Sequence, residues 1–294
     1  MPSLIVSYSG PAPDPELLEW TATGLVGGVV LFRDNAPDED ALCTAVATLR
    51  RHAPRQFRVM IDEEGGRVRR LPDAPQSMRD LRDYHHAGPD AVRHAYMSVA
   101  DRLRALGIDT LLAPVADIGG SESSWLRSRT FSDDPDEVAA MVRSVIAGVQ
   151  QRGVSCCVKH FPGMHAVAID PHGAPAEDPT PPSVWERTSA VPFRAAIVSG
   201  VHLVMVGHQR FNGFDALRPA CLSPVIVGAL LRERLGFAGL VATDDLAMGA
   251  VTRDYPIEAA VRGACDAGCD LVLVCNDRAL QRRAVAILKQ RPLQ

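Results

Sequence analysis

Eight short apolar runs, each separated from the next by a stretch of helical periodicity, constrain this chain more than any other feature. The runs are Leu4–Ser7, Val26–Phe32, Phe57–Ile61, Thr110–Val115, Ser155–Val158, Leu203–Val206, Leu240–Ala242 and Leu271–Val274. They are apolar throughout rather than alternating, as expected of parallel strands buried on both faces. Between them lie helix-like segments at Pro15–Thr23, Asp38–His52, Pro89–Leu106, Pro135–Arg152, Ser183–Ser199, Ser223–Leu235 and Ile257–Ala267. Asp133-Asp134-Pro135-Asp136-Glu137 supplies an acidic first turn, favourable at the positive end of a helix dipole. Ser223-Pro224 reads as an N-cap followed by proline at the first helical position. Strand and helix alternating eight times predict an α/β fold, a (β/α)8 TIM-type barrel, with an open doubly wound sheet as the alternative. No linker or composition shift interrupts residues 1–294, so a single domain is expected. The last helical segment, Arg278–Lys289, is short, which predicts a closing wall that is thin or completed by a partner.

Composition narrows the function. The formal net charge of -4 gives no electrostatic case for nucleic acid or an anionic membrane. The N-terminus lacks a cationic segment, a long apolar stretch and a small-residue cleavage site, and no apolar run reaches the roughly 20 residues of a membrane span. A cytoplasmic location is expected. The seven cysteines are odd in number and several sit in apolar runs, so free buried thiols are expected. Cys265 and Cys269 have no second pair at zinc spacing. Neither a Walker A loop nor a G-x-G-x-x-G fingerprint is present, and no cofactor is expected.

The active site of a barrel of this type collects at the C-terminal ends of its strands. Those ends read Asp62-Glu63-Glu64-Gly65-Gly66-Arg67, Asp117, Lys159-His160, His208, Asp244-Asp245 and Asn276-Asp277. Asp244 directly follows Leu240-Val241-Ala242-Thr243 and is placed to attack an anomeric carbon from the barrel mouth. Asp245 suits the capping of a helix starting near Leu246. An imidazole can both give and take a proton near neutral pH, and Asp170 two residues before His172 can orient its ring, which makes the pair an acid/base candidate. Lys159 is one of only two lysines in the chain. It and the arginines are donors only, suited to hydroxyls or a carboxylate, whereas Asp62 would accept from hydroxyls. Gly65-Gly66 permits a sharp turn or a close approach to ligand.

Taken in order, these segments resemble glycoside hydrolase family 3, and within it the single-domain β-N-acetylglucosaminidases of the bacterial cell-wall recycling type. Ile61 to Arg70 is close to I-D-Q-E-G-G-R-V-x-R, and Leu112 to Asp117 to F-A-P-V-x-D. Arg129-Thr130-Phe131-Ser132 with Asp134-Pro135 resembles R-S/A-F-S-x-D-P, and Lys159-His160-Phe161-Pro162-Gly163 matches outright. Leu222-Ser223-Pro224 and Leu235-Gly236-Phe237 resemble segments ahead of the nucleophile, and Thr243 to Met248 is close to S/T-D-D-L-x-M. The resemblance implies Asp244 as nucleophile, His172 with Asp170 as acid/base dyad, and Asp62, Arg70, Arg129, Lys159 and His160 around an N-acetylhexosamine. His208 and Met248, near the same strand ends, complete the substrate-binding candidates. It further implies retention of configuration and no cofactor, with a GlcNAc-containing glycoside as ligand and a monomer or homodimer as the working unit.

One segment departs from the family. Where K-H-F-P-G-H-G-D-T-x-x-D-S-H is usual, this chain places Met164, His165, Ala166 and Val167 after Gly163, and Pro171 before His172. The dyad keeps its register. Phosphorolysis in place of hydrolysis, a glycoside from a specialised pathway, and a non-catalytic sugar-binding role stay open on sequence alone. A metal-dependent amidohydrolase-like barrel is the remaining alternative, although Ser7-Tyr8-Ser9-Gly10 stands where its H-x-H would be.

Overall fold

The computed structural model describes residues 2–72, 80–119 and 125–289. All eight apolar runs form strands, and these close into a barrel. In chain order they are β1 (Ser3–Val6), β2 (Gly28–Leu31), β3 (Arg58–Ile61), β4 (Thr110–Leu111), β5 (Ser155–Phe161), β7 (Leu203–Val206), β9 (Leu240–Thr243) and β10 (Leu271–Val274). The order around the barrel is β1-β10-β9-β7-β5-β4-β3-β2. Every pairing is parallel, and the circle closes where Ser3 to Val6 run beside Leu271 to Val274. Two further short strands, β6 (Glu177–Asp178) and β8 (Arg210–Phe211), pair outside the barrel on the loops after β5 and β7.

Side chains alternate between two apolar layers. Ile5, Val30, Met60, Leu112, Cys157, Met205, Leu273 and Cys275 belong to an inner cluster. Their neighbours Leu4, Val6, Val29, Leu31, Val59, Ile61 and Val204 belong to the larger cluster shared with the helices. Each fully buried aliphatic contributes about 1.5–3 kcal/mol. Both faces of each strand are therefore apolar, which is why the runs do not alternate in sequence.

The helices begin where capping chemistry stands. Helix α1 (Pro15–Ala22) has proline in its first turn and Asp14 accepting from Leu17 N. Asp38 caps α2 (Glu39–His52). Helix α3 (Tyr84–Ala105) begins earlier than the expected Pro89, because a short leading turn joins it through Gly88 at φ 80°. Helix α4 (Pro135–Gln150) is capped by Asp134, which accepts from Asp136 N and Glu137 N. The helix expected over Ser183–Ser199 is two, α5 (Pro182–Trp185) and α6 (Ala190–Val198). Pro192, in the first turn of α6, has no N–H to donate to the Thr188 carbonyl, and its ring crowds that carbonyl, which disfavours continuing the helix back into α5. The segment Val225–Arg234 is a π-helix, with Ser223 Oγ accepting from Ile226 N at 3.2 Å. Helices α7 (Gly249–Thr252), α8 (Ile257–Ala267) and α9 (Arg278–Lys289) follow.

The chain's own last helix supplies the closing wall. Helix α9 lies against β1 and β10 and buries Ala284, Val285 and Ile287. Arg282 pairs with Glu16 of α1 at 2.9 Å and Arg283 with Glu258 of α8 at 2.7 Å. Among the described residues, no helix is long and apolar enough to cross a membrane. All seven cysteines are free; five are buried, while Cys43 is exposed and Cys265 intermediate.

Candidate active site

The C-terminal ends of the strands surround a cleft of about 320 Å³. That is the small end of the roughly 300–1,000 Å³ usual for ligand sites. Its floor is the inner apolar layer: Val30, Leu112, Met205, Leu273 and Cys275. Its walls carry Asp62, Glu64, Arg67, Arg70, Arg129, Lys159, His160, His172, Asp244, Asp245 and Met248. Of the candidate site residues, the structure thus brings together all but two around one cavity. Asp170 stands behind His172. His208 is buried at the back of Asp245 and does not line the cleft, a correction to its expected place beside substrate.

The β3 end supplies the central ion network. After Ile61 the chain turns sharply through Gly65 and Gly66, at φ 100° and 53°. A Cβ on Gly66 would lie 2.4 Å from Asp80 Oδ1, so glycine is required there. The turn sends Glu63 and Glu64 different ways. Glu63 accepts from Arg70 N at 2.6 Å and Leu71 N at 2.9 Å, bracing the loop. Glu64, 1% exposed, meets Arg129 in a two-pronged pair at 2.8 Å on each oxygen and Lys159 Nζ at 2.5 Å. Lys159 Nζ also reaches Asp62 Oδ1 at 2.6 Å. Burial alone would raise the Glu64 carboxyl, but the Lys159 and Arg129 cations prevail and hold it well below the ordinary range. Burial opposes the charge on Lys159, yet Asp62 and Glu64 outweigh it and raise the ammonium to about 12. Both stay ionised, and Asp62, the more exposed end, faces the cleft.

Two imidazoles have one nitrogen fixed and one left over. His160 Nδ1 lies 2.7 Å from Asp117 Oδ2, whose other oxygen accepts from Met164 N at 3.0 Å. His172 Nδ1 lies 2.6 Å from Asp170 Oδ1, which also accepts the His172 backbone N–H at 3.0 Å. In each ring Nδ1 donates to a carboxylate and Nε2 remains available. Burial would lift Asp170, but the hydrogen bonds and charge of His172 bring it below its usual value.

The β9 end holds the two aspartates differently. Burial would raise Asp244, but the imidazoles of His208 and His160, the Asp245 N–H at 2.7 Å and Lys159 hold it below the ordinary carboxylate range. Asp245 was expected to cap a helix near Leu246. Instead its Oδ1 accepts from Ala247 N at 3.0 Å and from Cys275 N at 2.8 Å, tying the β9 and β10 ends together. Burial, aided by the Asp244 charge and only partly offset by those N–H groups, pushes its pKa up to about 7. Burial keeps His208 toward its neutral form. Its Nε2–H donates to the Asp245 carbonyl at 2.8 Å, which leaves Nδ1 to accept from the Cys221 thiol at 3.2 Å.

Sequence reasoning missed Glu64 as a site residue, although it stands in the motif that pointed to Asp62. Phe32, Arg67, Val68 and Asn276 also line the cleft. Arg70 stacks over Phe32, its guanidinium carbon 5.8 Å from the ring centre. Asn276 sits in the left-handed region at φ 57°, which asparagine tolerates better than most residues.

A parallel barrel whose mouth gathers carboxylates, imidazoles and guanidiniums around one cleft has the make-up of a glycoside hydrolase. The glycosyl hydrolase family 3 N-terminal domain matches residues 4–291, and the chain belongs to that family. It is 34% identical over 296 residues to a β-hexosaminidase of Xylella fastidiosa (strain 9a5c), covering 98% of this chain and 88% of that one. It resembles the structure of NagZ from Neisseria gonorrhoeae in complex with N-trifluoroacetyl-D-glucosamine, with a TM-score of 0.89 and 27% identity over 97% of this chain and 84% of that one. A family 3 β-N-acetylglucosaminidase from Paenibacillus sp. str. FPU-7 superposes with a TM-score of 0.93 and 29% identity; 97% of this chain is covered, but it spans only 56% of that structure. Family membership sets aside the amidohydrolase-type alternative.

Proposed function

We propose that this glycoside hydrolase is a retaining, exo-acting β-N-acetylglucosaminidase. The observation that carries the reading is the pairing, in one cleft, of an ionised Asp244 with a His172 whose Nδ1 is fixed by Asp170. Asp244 attacks C1 while the His172 imidazolium, stabilised by Asp170, protonates the leaving oxygen through Nε2. The neutral imidazole then takes a proton from water, which attacks C1 and releases the sugar from Asp244. Asp62, Arg70, Lys159, His160 and Met248 hold the sugar, with Arg129 fixing the network behind them. The likeness to relatives printed as β-hexosaminidase and β-N-acetylglucosaminidase supports the choice of sugar. The unit is read as one domain, a monomer or homodimer, and its free thiols suit a reducing, cytoplasmic setting.

The test compares release of 4-nitrophenol from aryl β-N-acetylglucosaminide and β-glucoside by the wild type, Asp244→Ala and His172→Ala. GlcNAc-selective turnover lost in Asp244→Ala is the expected result; turnover surviving in that variant would sink the nucleophile assignment. Phosphorolysis is the second reading, favoured by an imidazole rather than a carboxylate at the acid/base position and by Arg67 and Arg70 at the cleft. Phosphate-dependent formation of sugar 1-phosphate would move the assignment there.

A further inference from the structure

The loop that carries His172 leaves β5 at Phe161 and is anchored beyond the dyad by the pairing of β6 with β8; on either side of the dyad it makes two further contacts. On one side, Met164 and Val167 before the dyad and Ala176 after it bury themselves with Leu126 in a small apolar cluster of their own, and Trp125 packs against it. Trp125 Nε1 donates to the Val167 carbonyl at 3.0 Å. The Trp125 carbonyl in turn accepts from Arg67, a cleft-lining residue, at 2.9 Å. On the other side, Gly249 N donates to the His172 carbonyl at 3.0 Å and Ala250 N to the Pro171 carbonyl at 3.1 Å. Gly249 and Ala250 begin the helix that follows Asp244. A Cβ on Gly249 would lie 2.6 Å from the Gly173 carbonyl oxygen and 3.1 Å from that of His172, so the two backbones meet where only glycine fits.

We propose that Trp125 and Gly249 are positioning residues that hold the His172 imidazole over Asp244, one clamping the loop to the β4 side of the barrel and the other to the β9 side. The proposal rests on the reading of His172 as acid/base. His172 is itself 65% exposed, so its own packing does little to place it. Asp170 fixes the ring within the loop but moves with the loop. The β6–β8 pairing anchors the loop beyond Ala176, and the two clamps are the contacts that bracket the dyad itself and tie it to the β4 and β9 sides. The apolar cluster also gives a physical account of the departure noted above, since Met164 and Val167 stand where the family is polar and are buried here.

The experiment compares leaving groups. A nitrophenolate departs without a proton, whereas the sugar alkoxide of N,N′-diacetylchitobiose needs one, so a displaced acid is felt only with the second. Trp125→Ala and Gly249→Ala should lose roughly 30–100-fold in kcat/KM on the disaccharide, part of the roughly 10²–10⁴-fold worth of a general acid. On the nitrophenyl glycoside the loss should stay within about threefold, and azide, which needs no base, should restore turnover with formation of glycosyl azide. Trp125→Phe keeps an aromatic ring against the apolar cluster and removes the indole N–H, and should show the same selectivity to a smaller degree. It carries the test with Gly249→Ala should Trp125→Ala fail to fold. Equal losses on both substrates, or none, would overturn the clamp. His172→Ala is the control: if it shows the leaving-group dependence and the clamp variants do not, the clamp alone falls. If His172→Ala shows none, the acid/base reading falls and takes the clamp with it.

Discussion

Replacing Glu64 with glutamine should destabilise this protein by about 3–5 kcal/mol, the usual cost of leaving buried charge without its counter-ion. The geometry puts Glu64 at the upper end of such sites. Its side chain is 1% exposed, and its partners Arg129 and Lys159 are 11% and 3% exposed. Glutamine keeps the shape and one acceptor oxygen, but it turns an NH₂ toward a cation and leaves only Asp62 to balance the pair. An unfolding entropy of about 2.1 cal/mol/K per residue makes roughly 0.6 kcal/mol/K for this chain, so the melting temperature should fall by roughly 5–8 °C. Calorimetry at pH 7 measures this directly. The pH dependence adds a sign. Glu64 is depressed below its ordinary 4.5, so its contribution is fully present above that value and is lost as pH falls toward the lower native one. The gap between wild type and variant should therefore be full at neutrality and shrink below pH 4.5. A fall of less than about 2 °C at pH 7 would show that the network is a solvated cluster rather than a buried one.

Asp245 has the opposite sign. Its carboxyl is raised from 3.8 to about 7, so the wild type should lose stability as pH rises across that window, and Asp245→Asn should flatten the melting temperature there. A parallel pH profile in the two proteins would refute it. Thiol titration of the native protein should find one fast group, the exposed Cys43, a slower one, the partly exposed Cys265, and five buried thiols that react only on unfolding. Removal of Cys43 that leaves the fast phase intact would refute that assignment. Finally, Arg282→Ala should leave the melting temperature nearly unchanged despite its paired contacts with Glu16, because the pair is exposed to solvent. A melting shift of several degrees would make α9 a stronger clasp on the barrel than its surface pairs suggest.

The barrel was legible because parallel strands covered on both faces leave an unbroken apolar mark, and each of the eight runs carries one. Helix starts were legible where a side chain does the capping, at Asp14, Asp38 and Asp134. What failed was decided elsewhere in the molecule. The π-helix Val225–Arg234 carries in its last turn Arg232, which reaches the carbonyls of Phe237 and Gly239 and the Asp270 carboxylate, partners no local pattern announces. β6 and β8 are two residues each and leave no periodicity to read. In the cleft, Asp62 and Glu64 were separable from Glu63 only once the Gly65-Gly66 turn was seen to set their directions. His208 follows its strand as the other candidates do, but it is drawn behind the Asp245 carbonyl.

The loop that carries Asp170 and His172 separates two properties that its sequence joins. Changing polar residues to Met164, Ala166 and Val167 beside a catalytic dyad reads as altered chemistry when only the string is considered. In the structure, Met164 and Val167 face an apolar cluster away from the cleft, and neither lines it. Asp170 and His172, which do the proposed chemistry, keep both their register and their 2.6 Å contact. The substitutions therefore alter how the loop is attached, not what it carries. Apolar attachment resists salt and weakens on cooling, whereas a polar attachment does the reverse. Catalysis in this chain should accordingly tolerate high ionic strength better than it tolerates low temperature, and the disaccharide, which depends on the placement of His172, should show that difference more strongly than the nitrophenyl glycoside.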